Sequence, residues 1–437
     1  MTRASSTAQR FRQTARNSSS DAPHCGCGGR RLACPRTLLG ERNMAVARPE
    51  TILATKIRNT EPDLAFWLRK AQSESGRSTS SMIWDMVRLA RRRGRLRPID
   101  YLRYQLYRPS LSTAERASFV SPRGGHDVNA RLSPPSLELL SSLAVDKVLT
   151  NVVLRAAGFP VPDTRAVFSA DANYGALSAL RTEADITAFL RNPTNLPVFG
   201  KPVNSSQSVG AASFLSVSPD GAEILLGDRR SVSLAALAAE IAKHFHRGYL
   251  FEELLRQPPE IVAIAGETIA SVRICTIWVP GGPKVLYAGV KLPAPGAMVD
   301  ALLGGENTLV LIDSQTGDVL RAMLSEAGGR REITHSHLNP EAPIKGMRLP
   351  NWPQVVAITT EAHRMFPGHG ILGFDVALTT RGPVVTEVNT DPHHALYQFC
   401  ADRGLLNPEF RALFAAAEAD LARRQNDQRL RDAAFAP

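Results

Sequence analysis

Three oxygen-bearing side chains in the last quarter of the chain lie at a spacing that could hold a metal ion. Asp375 falls within the alternating apolar segment 371–378, and Glu387 and Asn389 fall within the alternating segment 383–389. Alternation with a period of two predicts β-strands, in which every second side chain points to the same face. A short turn separates the two segments, so we predict a hairpin that carries all three side chains.

The register of that hairpin decides whether the three side chains meet. If the turn is centred on Arg381, Asp375 lies directly opposite Glu387, and Gly373 lies opposite Asn389. Two carboxylates in this arrangement repel each other unless a positive charge lies between them. Carboxylate and carboxamide oxygens suit Mg²⁺ or Mn²⁺ bound to phosphates, and not zinc. The alternative, an acidic hairpin exposed to solvent, agrees less well with such apolar strands.

A metal ion held by carboxylates needs an anionic partner, and a lysine beside a loop of small residues could bind one. Lys201 lies in the strand-like segment 197–203, and the loop 204–210 follows it. Backbone N–H groups of such loops can wrap a phosphate. The loop is not a P-loop, because no Gly-Lys-Ser/Thr sequence follows it. Its candidate phosphate-binding residues are Ser205, Ser206, Ser208 and Gly210.

Three further cations lie within otherwise apolar segments. Lys147 lies in the helical segment 142–157, where an ordinary surface lysine is the alternative to a functional one. Arg273 lies in the strand-like segment 269–278, where burying an unpaired cation would be costly. We therefore expect a phosphate or carboxylate partner for Arg273, with a structural salt bridge as the alternative. Lys291 ends the next strand-like segment, and both interpretations stay open for it.

The succession of helical and strand-like segments predicts an α+β fold with largely antiparallel pairing. With 437 residues, the chain exceeds one ordinary domain. No apolar stretch approaches the ~18–20 residues that span a bilayer, and no secretory signal is visible, so we expect a cytoplasmic location. The predicted units are a disordered basic tail (1–50), a helical basic region with a linker (51–135), two α+β subdomains (136–233 and 234–425) and a C-terminal tail (426–437).

The positive charge is concentrated at the front of the chain. The formal net charge is +11, yet residues 1–110 contain 22 Lys and Arg against 8 Asp and Glu, and the remainder contains 30 against 33. Six arginines fall within 88–97. No aromatic residues are interleaved with them, so we expect no nucleic acid partner. The segment is either a solvated face at the end of a helix or a surface that contacts anionic membrane lipid.

These motifs occur in an order that resembles the ATP-grasp proteins. The matching segments are Asp-Lys at 146–147, Phe-Gly-Lys-Pro at 199–202, Leu-Phe-Glu-Glu-Leu at 250–254, Gly-Phe-Asp at 373–375 and Glu-Val-Asn at 387–389. A more detailed likeness, to the sugar-transfer-associated ATP-grasp family, rests on the segments 98–102, 271–274, 300–305 and 349–352. The resemblance implies an ATP-grasp fold, in which two α+β subdomains clasp ATP.

The resemblance also implies roles for individual residues. The nucleotide-binding residues would be Lys147, Lys201, Ser205, Ser206, Ser208, Gly210, Glu252, Glu253, Leu254 and Glu260. The lysines and the serine loop would contact the phosphates, and the Glu-Glu-Leu strand would meet adenine through its backbone. Glu260 would bind the ribose, with an ordinary loop residue as the alternative. The acidic hairpin would hold magnesium, and Arg273 and Lys291 would neutralise the charge in transfer.

The function that the resemblance implies is ATP- and magnesium-dependent ligation. A substrate carboxylate would attack the γ-phosphorus of ATP, and an amine or similar nucleophile would then displace phosphate. The setting would be polysaccharide or cell-surface glycan modification, with a small molecule, a glycan or a peptide as substrate. A kinase-like phosphotransferase and a nucleotide-binding adapter of a glycan-assembly complex are the alternatives. The chain departs from the family at 300–301 and 391–394, which leaves the substrate open.

Overall fold

The computed structural model describes residues 51–53, 63–133, 138–204, 208–300, 307–326 and 329–434. The tail predicted for residues 1–50 lies outside these ranges, and so do Ser205 and Ser206 of the predicted phosphate loop. Among the described helices, none combines the length and the apolar composition that crossing a membrane would require.

Seven of the described helices precede the first strand, and the others lie between the strands or after them. They are α1 (Leu64–Ser75), α2 (Thr79–Ala90), α3 (Pro98–Arg103), α4 (Thr113–Arg116), α5 (Pro122–Leu132), α6 (Glu138–Val145), α7 (Lys147–Ala156), α8 (Glu183–Arg191), α9 (Leu234–His244), α10 (Pro259–Ala265), α11 (Trp352–Arg364), α12 (Ala395–Ala401) and α13 (Pro408–Ala434). Side-chain caps begin several of them: Ser78 and Ser121 each accept a backbone N–H bond at the starts of α2 and α5.

The described strands form two seven-stranded sheets. They are β1 (Thr164–Phe168), β2 (Ala179–Leu180), β3 (Val198–Pro202), β4 (Ala212–Val217), β5 (Glu223–Leu226), β6 (Ser231–Ser233), β7 (Tyr249–Glu253), β8 (Ser271–Val279), β9 (Gly282–Leu292), β10 (Thr308–Ile312), β11 (Val319–Glu326), β12 (Gly329–Ile333), β13 (Ile371–Thr379) and β14 (Gly382–Asn389). The first sheet has the order β2-β1-β7-β3-β4-β5-β6, and the second has the order β12-β11-β10-β9-β8-β13-β14. Every pairing except β1 with β2 is antiparallel, in agreement with the α+β prediction.

The segment 142–157, which the sequence predicted as one helix, is divided at Asp146. The Asp146 carboxylate accepts hydrogen bonds from the backbone N–H groups of Val148 and Leu149, so it caps α7. A short acidic side chain favours such a cap over a position inside a helix. As a result Lys147 stands in the first turn of a new helix.

The limits of the sheets differ from the predicted subdomain limits. We placed the boundary between the subdomains at 233–234, but β7 lies between β1 and β3, so the first sheet ends only at Glu253. Helix α13 also continues to Ala434, into the predicted C-terminal tail. It is anchored because Phe410 and Phe414, one turn apart, are buried against the second sheet.

Apolar layers fix both faces of the second sheet. On one face, Val272 and Ile274 of β8 share a core with α10 and α11. On the other face, Cys275 and Ile277 pack with α13. Helices α1 to α3 share a further core with β10, β11 and α12, in which Tyr101 is fully buried. The helical N-terminal region therefore packs directly on the second sheet.

Candidate active site

The hairpin β13–β14 has the register that the sequence predicted for the acidic side chains. Asp375 pairs with Glu387, and Gly373 pairs with Asn389. The turn itself is not centred on Arg381, because Thr379 pairs with Gly382. One extra residue in β14, a β-bulge between the pairs of Asp375 and Val376, restores the predicted register.

The extra residue of the bulge is Thr386. Asp375 and Val376 are adjacent in β13, whereas their partners Glu387 and Val385 are two residues apart in β14. The hydroxyl of Thr386 donates to the Asp375 carbonyl at 3.1 Å, and its own carbonyl accepts from Lys201 Nζ at 3.2 Å. The bulge thus joins the hairpin to the first sheet.

The Asp375 carboxylate is held by two cations from neighbouring strands. Arg273 lies opposite it on β8 and donates from Nε at 2.5 Å and from Nη2 at 2.9 Å. Lys291 Nζ, on β9, lies 3.3 Å from Asp375 Oδ2. Burial alone would raise the pKa of Asp375, but these two cations outweigh it and hold the pKa well below its usual range. Asp375 is therefore a buried, ionised carboxylate.

Asp300 is a further carboxylate at this site. The sequence analysis assigned no role to it. Its Oδ2 lies 3.2 Å from Lys291 Nζ and also accepts from the Ser271 hydroxyl. Burial raises the pKa of Asp300, and Lys291 opposes that rise. Ser208 of the predicted phosphate loop donates its hydroxyl to the Asp300 carbonyl at 3.2 Å. The available signal for Asp300 was its match to the family motif at 300–305, which departs from the family at the next residue.

Two buried lysines approach the hairpin from the side of the first sheet. Lys201 Nζ lies 2.7 Å from Glu252 Oε2, and Lys147 Nζ lies 3.8 Å from Glu387 Oε1. Burial lowers the pKa of Lys147, the charge of Lys201 lowers it further, and Glu387 opposes both effects. The Glu252 carboxylate also accepts from Asn151 Nδ2 at 2.6 Å, which fixes it inside the protein.

Eight charged side chains thus form what we call the ion-pair network. Its cations are Lys147, Lys201, Arg273 and Lys291, and its carboxylates are Glu252, Asp300, Asp375 and Glu387. The charges are equal in number and opposite in sign, so the network is neutral. Arg273 and Lys291 therefore do have the carboxylate partners that the salt-bridge alternative required, and both residues also line the cavity described next.

A cavity of ≈ 1620 Å³ opens over the ion-pair network. Its lining includes most of the predicted site residues: Lys147, Lys201, Ser208, Glu252, Glu253, Leu254, Arg273, Lys291, Asp375, Glu387 and Asn389. Leu254 directly follows β7, and Glu253 Oε1 accepts from Arg381 Nη2 at 2.6 Å, which ties β7 to the hairpin turn. The structure therefore brings the nucleotide set and the metal set to one place.

Among the predicted site residues that the structure describes, Gly210 and Glu260 do not line this cavity. Gly210 has φ +83°, its carbonyl accepts from the Tyr249 hydroxyl, and a Cβ there would meet Phe245 at 2.5 Å. Its role is thus in the loop's shape. Glu260 is exposed in the first turn of α10 and lines a separate depression, because Ile261 of that helix turns into the core. The prediction that Glu260 binds a ribose is not supported by this position.

The far end of the cavity is built by helices α3 and α5 and by residues 391–398, which include the start of α12. We call it the helical end, and its lining includes Arg97, Asp100, Arg103, Ser121, Gly125 and His126. His126 Nδ1 lies 2.8 Å from Asp391 Oδ2, and Asn129 donates to Asp391 Oδ1 at 2.7 Å. Helices α3 and α5 of the N-terminal region thereby form part of the cavity wall.

Two adjacent histidines at the helical end have opposite environments. His394 is buried, its Nδ1 lies 2.9 Å from the Tyr287 hydroxyl, and its Nε2 lies 2.9 Å from Asn129 Oδ1. Burial lowers the pKa of His394 to about 3. His393 is exposed to the cavity, and within the described part of the chain neither of its ring nitrogens has a hydrogen-bond partner. Enclosure by the cavity walls lowers the pKa of His393 as well, so it is neutral at pH 7.

The hairpin's oxygen atoms fit a hard divalent cation only as a mixed set. Within the described residues, no group of three His, Cys, Asp or Glu side chains could hold a metal ion, so a site on this hairpin would need Asn389 as its third ligand. Asn389 lines the cavity, and its Nδ2 is buried without a hydrogen-bond partner in the described part of the chain. Carboxylate and carboxamide oxygens such as those of Asp375, Glu387 and Asn389 are the ligand chemistry that Mg²⁺ prefers.

The chain belongs to the sugar-transfer associated ATP-grasp family, whose model matches residues 137–411. Among solved structures, it is similar to the D-alanine-D-alanine ligase from Coxiella burnetii, with 18% identity, a TM-score of 0.36 and coverage of 67% of this chain and 61% of that one. The D-alanine-D-alanine ligase from Bacillus anthracis matches with 15% identity, a TM-score of 0.36 and coverage of 71% and 83%. Among curated proteins, none matches significantly.

Proposed function

We propose that the protein is an ATP- and magnesium-dependent ligase that joins a substrate carboxylate to an amine or a similar nucleophile. The observation that carries the proposal is the neutral ion-pair network beneath a single large cavity. A buried network of equal charges cannot offset the several negative charges of a nucleoside triphosphate. ATP would therefore enter with divalent cations, for which Asp375, Glu387 and Asn389 are the ligands.

The cations of the network would serve the phosphoryl transfer. Lys147 and Lys201 come from the first sheet and its helices, and Arg273 and Lys291 come from the second, so the phosphates would lie between them. Magnesium would neutralise charge on the β- and γ-phosphates. A carboxylate oxygen of the substrate attacks the γ-phosphorus, the bond from that phosphorus to the β–γ bridging oxygen breaks, and ADP leaves. The fixed cations stabilise the charge that spreads over the γ-phosphate oxygens.

The second step would take place nearer the helical end. The nitrogen of an amine attacks the acyl carbon, and the bond from that carbon to the phosphate oxygen breaks. The amine must lose a proton, and His393 is the neutral, unengaged base that faces the cavity. His394 is unsuited to this role because both of its nitrogens are engaged in the interior.

A glycan or cell-surface polymer precursor is our proposed acceptor class. The support is the family's association with sugar transfer, together with helices α3 and α5 of the helical end, which lie outside the matched range 137–411. Because α3 and α5 form part of the cavity wall, their sequence can differ between family members and change the acceptor site. The residues proposed to bind ATP would stay the same.

The decisive experiment measures ADP release with Mg²⁺ against pooled carboxylates, with and without pooled amines and with hydroxylamine as a trap. An acyl phosphate gives a hydroxamate in the presence of hydroxylamine, and we expect carboxylate-dependent ADP release together with that product. A phosphorylated hydroxyl without hydroxamate would show a kinase-like phosphotransferase instead. Tight ATP binding without any turnover across the pools would favour the adapter and contradict a ligase.

A further inference from the structure

Helix α2 presents apolar side chains on two opposite faces. Met82, Met86 and Leu89 are buried in the core that α2 shares with α1 and α3. On the opposite side, Ile83 and Trp84 are 48% and 64% exposed. Since each residue turns the helix by about 100°, these two groups face away from each other. A helix that only packs on a core needs one apolar face.

The exposed face forms a continuous patch along the helix. Val87, one turn after Ile83 and Trp84, is 38% exposed, so the three side chains lie side by side. The chain contains four tryptophans, and Trp67, Trp278 and Trp352 are buried or half-buried. Trp84 alone of the four is exposed. Grouped exposed apolar residues of this kind mark a surface that binds something.

Positive charge lies directly beside this patch. Four exposed arginines follow it, Arg88 on the same face and Arg91, Arg92 and Arg93 at the end of the helix. Within the described residues, none of these four forms an ion pair, whereas Arg95 is paired with Asp127. Unpaired cations beside an apolar patch with a tryptophan are typical of surfaces that insert into the headgroup layer of anionic membranes.

We propose that this face of α2, with Arg88, Arg91, Arg92 and Arg93, docks on an anionic membrane surface. Charge complementarity selects this occupant over a second copy of the chain, because the one acidic residue of α2, Asp85, is already paired with Arg77 and would not neutralise the arginines of a second α2. The apolar triad of Ile83, Trp84 and Val87 would enter the headgroup layer, and the arginines would bind lipid phosphates.

The docking face also lies close, along the chain, to the helical end of the cavity. Arg97, seven residues after the end of α2 at Ala90, lines that end, as do Asp100 and Arg103 of α3. A docked protein would therefore hold the helical end near the lipid surface. If the proposed ligase acts on an acceptor carried by a lipid, this arrangement delivers it, but the docking itself does not depend on the proposed reaction.

The test uses the full chain and vesicles of two compositions, phosphatidylglycerol mixed equally with phosphatidylcholine, and phosphatidylcholine alone. We expect co-sedimentation with the anionic vesicles only, weakened by salt, and a blue shift of tryptophan emission upon binding that the Trp84→Phe variant lacks. Absence of binding to the anionic vesicles would overturn the proposal, whatever the enzyme assays show.

Variants separate the two components of the surface. Trp84→Ala should weaken vesicle binding on the order of tenfold, and Arg88→Glu with Arg92→Glu should weaken it by at least about fivefold for each site. The matched controls are Leu320→Ala, another exposed apolar residue, and Lys243→Glu with Arg411→Glu, which are exposed cations elsewhere. Equal binding by test and control variants would overturn the proposal.

Two other occupants give distinct results. Self-association in the ultracentrifuge that Trp84→Ala abolishes, without vesicle binding, would assign the patch to a second copy. Binding to duplex DNA that the arginine changes abolish and Trp84→Ala leaves intact would assign the arginines to nucleic acid. Either result contradicts membrane docking.

Discussion

The two ends of the cavity are held together in different ways. At the sheet end, charged side chains face each other across neighbouring strands, as Arg273 faces Asp375. At the helical end, polar side chains meet mainly through tertiary packing, as His394 meets Asn129 across 265 residues of sequence, while Arg97 and Asp100 pair locally at the start of α3. The sheet end is the part of the cavity lined by the ion-pair network. Strand pairing fixes its charged side chains relative to each other, so we expect these residues to keep their positions when the helices differ. The helical end depends on where whole helices pack, and it is the part that can adapt to a different acceptor.

The largest expected effect is at the sheet end. Asp375→Asn removes a metal ligand and also leaves Arg273 and Lys291 without their shared carboxylate. We expect ADP formation to fall on the order of 10³-fold and the free energy of unfolding to fall by about 3 kcal/mol. Asp220→Asn, in an exposed turn, is the matched control. Turnover that survives Asp375→Asn would show that the metal assignment is wrong.

The second prediction divides the two histidines at the helical end. His393→Gln should slow transfer to the amine by about 10²-fold, because the incoming nitrogen loses its base. Formation of the hydroxylamine-trapped acyl phosphate should continue, since that step needs no proton acceptor. A parallel fall in both steps would mean that His393 supports the structure of the cavity and not proton transfer.

The third prediction concerns stability and pH. Because burial lowers the pKa of His394 to about 3, the unfolded chain binds its proton more tightly than the folded one. The free energy of unfolding should therefore rise with pH between about 3 and about 6.5. Above that range His394 is neutral in both states, and its contribution no longer changes with pH. At pH 5 the loss from this residue should be about 2 kcal/mol relative to pH 7.5. Urea unfolding of wild type and His394→Gln measures it, and an unchanged pH slope in the variant would contradict the prediction.

The smallest expected effect tests whether the helical end contacts the acceptor. His126→Ala removes the contact with Asp391 at the rim of the cavity, far from the nucleotide residues. We expect the KM for the acceptor to rise a few-fold, which corresponds to a loss of roughly 1 kcal/mol in the binding free energy of the acceptor. The KM for ATP should stay the same. An equal rise in both KM values would show that the two ends of the cavity do not act separately.

The part of the cavity borne by strands was easier to predict from the sequence than the part borne by helices. Period-two alternation in the sequence predicts that Asp375, Glu387 and Asn389 share one face of a hairpin, and the structure pairs them as expected. The strand pattern does not predict that Lys201 reaches this hairpin, which it does through the Thr386 carbonyl. The family resemblance supplied the second lysine, Lys147. The hairpin prediction succeeded because a strand's faces follow from local sequence and because the bulge at Thr386 offset the misplaced centre of the turn.

The errors arose where packing overrides local pattern. Glu260 occupies the position expected of a ribose ligand in the chain, with an ordinary surface residue as the alternative, and its helix turns apolar residues inward and leaves Glu260 exposed outside the cavity. The helical end, with Asp391 and His393, could not be assembled from the sequence, because nothing local indicates that α5 lies against the segment after the hairpin. Asp300 belongs to a motif of the family resemblance, but the sequence indicates no partner for its carboxylate. The fold brings Lys291 to it.

The bulge at Thr386 decides which residue of β14 lies opposite Asp375. With a two-residue turn alone, Glu387 would fall opposite Phe374 and point into the apolar core, and the single extra residue reverses that parity. Deletion of Thr386 alone would remove the bulge and still leave Glu387 opposite Asp375, at the loss of the carbonyl that accepts from Lys201 Nζ. In the evolution of such a hairpin, the bulge residue could therefore be lost without separating the two carboxylates.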